Sequence, residues 1–224
     1  MSSTTGMSTN VIRNFKYIAV LAALFMSTLS ANVRAQTADQ ENVRGQIARV
    51  DTAAIEIKIA NGRTLRLALA DTTTLFSLTK ASFTEVSFGT YVGAVAMKDD
   101  RYSPIVRDSL SWLHNAFELR IFDENLRGIA LGHKKWDQPP GAIMAHGWVD
   151  DIEVRVLSIK YGPTEEEETD VEIPRGAPVH RMSLAEKSVL KTGAHIFAGV
   201  QKGADGKYTA LFVLVGKDGL VPKL

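Results

Sequence analysis

Ile55-Glu56-Ile57-Lys58-Ile59-Ala60-Asn61-Gly62-Arg63-Thr64-Leu65-Arg66-Leu67-Ala68-Leu69 is the stretch that decides the fold class. Ile55, Ile57 and Ile59 alternate with Glu56 and Lys58, and Leu65, Leu67 and Leu69 alternate with Arg66 and Ala68. Successive side chains of a strand point to opposite faces. An apolar residue at every second place therefore gives one face to a core and the other to water. Asn61 and Gly62 separate the runs, and both accept the positive φ that a tight hairpin turn demands. Two antiparallel strands are expected here.

Working outward, a third run of strand-forming residues, Tyr91-Val92-Gly93-Ala94-Val95-Ala96-Met97, ends at Asp99-Asp100. The pattern then returns. Gly45-Gln46-Ile47 precedes Gly147-Trp148-Val149 by 102 residues, and Ile55, Ile57 and Ile59 fall at that offset on Leu157, Ile159 and Tyr161. After a longer hairpin tip the offset becomes 104: Leu67 and Leu69 match Val171 and Ile173, Leu75 matches Val179, and Leu78 matches Met182. Val86, Gly89, Val92 and Ala94 then match Leu190, Gly193, Ile196 and Ala198, and a last shift sets Tyr102 against Tyr208. Matched glycines, with length changes confined to turns, point to an internal duplication.

Each unit reads as three strands, a short connector (79–87 and 183–191) with the composition of one helical turn, and two more strands. That is the order of an OB-type barrel, which closes its sheet and so leaves no exposed edge; a two-sheet sandwich is the alternative. The expected fold is all-β, with two tandem OB-like five-stranded barrel modules at 43–110 and 146–224. A strand-plus-loop segment, 111–145, joins them. Strand exchange between the modules, or dimerisation, is left open.

Residues 1–35 read differently. Arg13 and Lys16 precede the apolar run Tyr17 to Met26, and Val33 and Ala35 stand at −3 and −1 of a cut before Gln36. This is the order of a secretory signal peptide, and the apolar run is short of the roughly twenty residues of a bilayer span. Export to the periplasm or the medium is expected, with no membrane span after cleavage. Removing Arg13, Lys16 and Arg34 from the 26 basic residues leaves 23 against 25 acidic ones, a net charge of −2. Such a chain lacks the basic footprint of a nucleic-acid binder. The absence of cysteine excludes disulfides, thiolate metal sites, a cysteine nucleophile and a lipidated cysteine at the mature N-terminus.

Gly45 and Ile47, Asp71-Thr72-Thr73, Val86 with Gly89, Gly147, Gly193 and Asp205-Gly206 give the chain a recurring strand, turn and closing pattern. On these residues it resembles a family of exported bacterial proteins with tandem small OB-like β-barrel domains of unknown function. The resemblance covers roughly 43–110 and 145–216. It implies a fold and a compartment and supplies no catalytic residue.

The segment 111–145 carries the densest unusual chemistry. Phe117, Leu119 and Ile121 alternate with Glu118 and Arg120, so another strand is expected, followed by Gly132-His133-Lys134-Lys135-Trp136-Asp137 and Pro139-Pro140-Gly141. Loops held on a rigid scaffold are where binding residues concentrate. His133, Trp136 and Asp137 are the candidate ligand contacts, with Trp136 as a stacking platform. The competing and favoured reading makes Trp136 a plug between the barrels and has Asp137 cap a turn. His114, His133 and His146 are the candidate metal ligands, since neutral imidazoles with nearby carboxylates hold Zn²⁺ or Cu²⁺. Their spacing matches no recognised motif. His180 and His195 read as structural, and the acidic tip from Glu165 to Glu168 reads as a solvated turn that discourages edge pairing.

No nucleophile elbow, phosphate loop or dinucleotide fingerprint occurs. The expectation is an exported cell-envelope binding or assembly module without enzymatic activity and without a cofactor, its partner an envelope protein or a small ligand. The alternatives are a periplasmic metal-binding protein using the connecting-segment histidines, and a glycan-binding module with Trp136, Trp148 and Tyr161 as platforms.

Overall fold

The alternating runs become strands, and the Asn61-Gly62 turn separates the first two where expected. The computed structural model describes residues 40–99, 113–164 and 167–222. The expected signal peptide, Tyr102, and Glu165 and Glu166 of the acidic tip lie outside the described residues. The chain opens with a meander of β1 (Gln40–Asp51), β2 (Ala54–Lys58) and β3 (Thr64–Lys80), with Gly62 at φ 81° in the turn between β2 and β3. Then come β4 (Tyr91–Lys98), β5 (His114–Phe122), β6 (Gly132–Lys135), β7 (Ile143–Glu153) and β8 (Val156–Lys160). The chain ends with β9 (Glu168–Glu172), β10 (Val179–Leu184), β11 (His195–Lys202) and β12 (Tyr208–Gly216). The two connectors each hold one 3₁₀ turn, Phe83–Glu85 and Lys187–Val189; Ser82 and Glu85 close a capping box around the first. Among the described residues no helix is long and apolar enough to cross a membrane.

The fold is all-β and contains a closed five-stranded barrel, in the cyclic order β12, β11, β1, β2, β3 and back to β12. Its interior is packed with Ile47, Ile55, Ile57, Leu67, Ile196 and Val213, all at most 1% exposed. A second ring runs β5, β4, β7, β8, β9, and the pairs His114 with Val171 and Asn115 with Glu172 return it to β5. Val92, Leu119, Val149, Leu157, Ile159 and Val171 fill it.

The pairing departs from the expected division at 43–110, 111–145 and 146–224. The barrel takes β1 to β3 from the first half of the chain and β11 and β12 from the second. The other ring takes β4 and β5 from the first half and β7 to β9 from the second. The halves thus exchange their last two strands. The strand expected in the connecting segment is β5, a full member of the second ring. Register places it as the counterpart of β12: Leu67 faces Tyr208 across one parallel pair, and Val171 faces His114 across the other. His114 thereby occupies the position equivalent to that of Tyr208.

The pairings are related by a pseudo-twofold through β3 and β10, where Leu78 lies opposite Met182. Gly193 N–H donates to Ile47 O at 2.8 Å, and Gly89 N–H donates to Val149 O at 2.8 Å. β1 bulges between Ile47 and Arg49, and β7 between Val149 and Asp151. Gly45 and Gly147 are required by close approach. A Cβ on Gly45 would stand 2.6 Å from Lys58 O, and one on Gly147 2.3 Å from Lys160 O.

One expected turn is not a turn. At Asp71-Thr72-Thr73 the chain bulges yet remains in β3, because the Thr73 hydroxyl accepts from Ala70 N–H (2.9 Å) and donates to Ala210 O (2.7 Å). The matching stretch, Pro174-Arg175-Gly176-Ala177-Pro178, contains two residues without an N–H, and there the strand divides into β9 and β10.

Candidate functional site

Strand exchange leaves each ring with one outward face turned toward the other, and the space between those faces is the seam. Tyr91, Phe122, Phe76, Phe197, Leu214 and Met182 bury their side chains there. They leave a cavity of about 430 Å³, lined from one side by Phe76, Phe197 and Phe212 and from the other by Arg120, Phe122 and His146. Small-molecule sites typically occupy 300–1,000 Å³, with apolar walls and few polar groups.

His146 is a buried polar group of this wall. It is 8% exposed, and its place on β7 is opposite Gly93 of β4. Gly93 is what makes room: a Cβ there would come within 2.6 Å of the imidazole. Ile129 O accepts two hydrogen bonds, from Tyr91 Oη–H at 2.8 Å and from His146 Nδ1–H at 3.1 Å. The proton is thus on Nδ1, and Nε2 presents a lone pair. Nε2 is buried and has no hydrogen-bond partner. Burial pushes the imidazole pKa down to about 4; the bond to Ile129 opposes this and the charges of Arg120 and Lys134 add to it. Burial likewise pushes the Tyr91 hydroxyl up to about 12.

β6 pairs with β7 of the second ring, and the loop after it reaches over to the barrel. Trp136 packs against Phe197, with ring centroids 5.9 Å apart, and its Nε1–H is buried without a partner. Lys134 Nζ lies 5.9 Å from the Trp136 centroid. The Asp137 carboxylate accepts from both terminal nitrogens of Arg44, each at 3.1 Å, and from Asn42 Nδ2 at 3.4 Å. Burial raises the Asp137 pKa, but these donors outweigh it and hold the carboxyl below the usual range. Trp136 and Asp137 therefore tie the second ring to the barrel; the cap that sequence reasoning assigned to Asp137 is replaced by a cross-seam ion pair.

Behind the cavity sits a buried ionic group. Arg120 Nε donates to Glu118 Oε1 at 2.7 Å, and His180 Nδ1 donates to the same oxygen at 3.2 Å. Glu118 is 2% exposed, Arg120 5% and His180 6%. Burial raises the Glu118 pKa, yet His180 and Arg120 more than offset it, and the carboxyl lies below its ordinary value. Alternation along β5 sets Glu118 and Arg120 on the face away from Leu119 and Ile121. Both are buried because this face of β5 lies against the seam.

The candidate metal residues are divided between two faces. Gly132 is opposite His146 and His133 opposite Ala145, so His133 and His146 project to opposite sides of the sheet. His133 stacks on Tyr161 at 6.0 Å, with His114 6.4 Å away, edge-on. His114 Nδ1 lies 3.2 Å from Thr169 Oγ1. Among the described residues no three His, Asp or Glu side chains are placed to hold a metal. Trp148 packs on Tyr91 at 5.4 Å within the seam. Of the expected site residues, the structure brings Trp136 and His146 together around the cavity and sends His114 and His133 elsewhere. Sequence reasoning missed Arg120, Phe122, Phe197 and Phe212, which share no spacing and meet only through strand exchange. Comparison with protein-family models, with curated proteins and with solved structures finds no match for this chain, so the family resemblance rests on its motifs alone.

Proposed function

We propose that this protein is a non-enzymatic binding module of the bacterial cell envelope and that it holds a small, largely apolar molecule in the seam between its rings. One observation carries the reading: an aromatic-walled cavity of about 430 Å³ whose lining residues His146 and Trp136 each bury a polar atom, Nε2 and Nε1, without a partner. A well-packed interior leaves few voids of this size and pairs its polar atoms. The compartment follows from the export signal read at 1–35, and the OB-like order of the two halves is the second support. The lack of a nucleophile, metal or phosphate motif favours binding over chemistry.

Native mass spectrometry of residues 36–224, taken from the exported fraction of an expressing host, tests the reading together with a titration of naphthalene. The expected results are a co-purifying small molecule lost on denaturation, and saturable naphthalene binding. Leu211→Trp, a change at a 37% exposed residue of the cavity wall, should weaken that binding by tenfold or more. A bare chain mass together with no naphthalene uptake would overturn it.

A further inference from the structure

Resting on that reading, the inference concerns which chemistry the cavity selects. We propose that its ligand is an uncharged ring-sized molecule carrying a hydroxyl or N–H, and that this group donates its hydrogen to His146 Nε2.

Ile129 O can only accept, so the 3.1 Å contact fixes the hydrogen on His146 Nδ1 and leaves Nε2 as an acceptor. The side chain is more than nine-tenths buried, and the protein offers Nε2 no donor. The residue lines the cavity together with Phe76, Phe122, Phe197 and Phe212. Apolar walls around one unsatisfied acceptor suit a molecule whose surface is mostly hydrocarbon and whose one polar hydrogen is aimed at that acceptor. Trp136 Nε1–H is a second unpartnered group on the same wall and offers a hydrogen to any acceptor the ligand carries.

Charge is excluded by the groups that face the space. Arg120 is bound to Glu118 at 2.7 Å, so the buried cation already has its anion. Glu41 and Lys134, one of each sign, are the other charged residues of the lining, beside the neutral Gln40 and Asn42, so neither sign of ligand is favoured. An anion would meet a neutralised arginine, and a cation would find no buried carboxylate of its own. A site that accepts a hydrogen bond discriminates strongly against the analogue that lacks the donor, because its own polar atom is then left unpaired beneath the ligand.

The test uses the mature chain at about pH 7 with three probes of one ring size: 1-naphthol, naphthalene and 1-naphthoate. Calorimetric titration is expected to give 1-naphthol at least tenfold tighter than naphthalene, which is about 1.4 kcal/mol, and 1-naphthoate the weakest. In His146→Phe the ratio of naphthol to naphthalene affinity collapses, whatever the change in the affinity for naphthalene itself. Should that variant fold poorly, the unaltered protein supplies the second measurement. The ring ¹⁵N resonance of His146 Nε2 moves on adding 1-naphthol and stays in place with naphthalene. Equal affinities for naphthol and naphthalene, or an unmoved Nε2 resonance, would overturn the inference while leaving the apolar cavity standing. Failure of all three probes to bind would instead remove the reading on which it rests.

Discussion

The seam has two sides built from equivalent positions, and they use opposite chemistry. On the barrel side Phe76 lies beside Leu214 across the parallel strands, with Phe212 edge-on to Phe76 at 6.3 Å. On the other side the same places hold His180 beside Arg120, with Glu118 bonded to both. A similar divergence separates Phe197, beneath the Arg44 guanidinium at 4.8 Å, from Gly93, which makes room for His146. The backbone frame is shared between the halves and the seam chemistry is not. Interior positions such as Ile57 and Ile159 are apolar in both rings, because each ring must fill itself. The difference is concentrated where the cavity lies, and that concentration is what supports a site there.

The largest expected effect breaks the ionic side. Glu118→Leu leaves Arg120 buried without its carboxylate and should cost about 3–5 kcal/mol in urea unfolding. Phe212→Leu at the equivalent place removes only part of an aromatic ring and should cost about 1–2 kcal/mol. Transplanting the barrel's trio as Glu118→Phe, Arg120→Leu and His180→Phe together should be near neutral or stabilising, since a packed apolar group commonly replaces a buried ion cluster without loss. A triple variant as damaged as the single one would show that the two sides are not interchangeable.

Acid should discriminate next. The His146 pKa falls from 6.5 in the open chain to about 4 in the fold, so the folded state prefers the neutral ring. Its stabilising contribution is complete above pH 6.5 and is lost as pH falls toward 4, an expected change of about 3 kcal/mol. Glu118 and Asp137, whose folded values lie below those of the open chain, lose their contributions lower still, as pH falls through those depressed values. Urea midpoints between pH 7 and 4 should therefore drop in the parent and flatten in His146→Phe. An unchanged slope would place the titration elsewhere.

Ring closure sharpens the comparison with smaller effects. Gly147→Ala and Gly45→Ala each press a methyl against a carbonyl oxygen and should cost about 1–3 kcal/mol, the former more. Thr73→Val removes the hydroxyl that keeps β3 in register and should cost about 1 kcal/mol. Hydrogen exchange should find Leu67 and Leu69 better protected than Val171, because β12 follows β3 from Tyr208 to Gly216 whereas β5 meets β9 at only two residue pairs.

Much of this fold was legible in the chain. Alternation at Ile55 to Leu69, Asn61-Gly62, the glycines 45 and 147 and the 3₁₀ connectors are local signals, and each one is realised. The partner of each strand was not legible. A period of two tells a strand which face is buried, and it does not say whose edge lies beside it. The burial of Glu118 and Arg120 was not legible for the same reason, since alternation does not say what covers the second face, and on β5 a second core does. The site was read in part: Trp136 and His146 were singled out, while the cavity depends on Phe197 and Phe122, which come together only in three dimensions.

The exchange of strands is what creates the seam, and a pair of thiols tests it directly because the chain has no cysteine of its own. Gln40 lies opposite Gln201 in the exchanged pairing, whereas a barrel closed within the first half would set Gln40 opposite Met97. Directly opposed residues of an antiparallel pair, about 4.5–5.5 Å apart at Cα, can form a disulfide. Under mild oxidation the double variant Gln40→Cys with Gln201→Cys should close quantitatively as a monomer, and Gln40→Cys with Met97→Cys should remain reduced. The reverse outcome would contradict the exchange and, with it, the seam and its cavity.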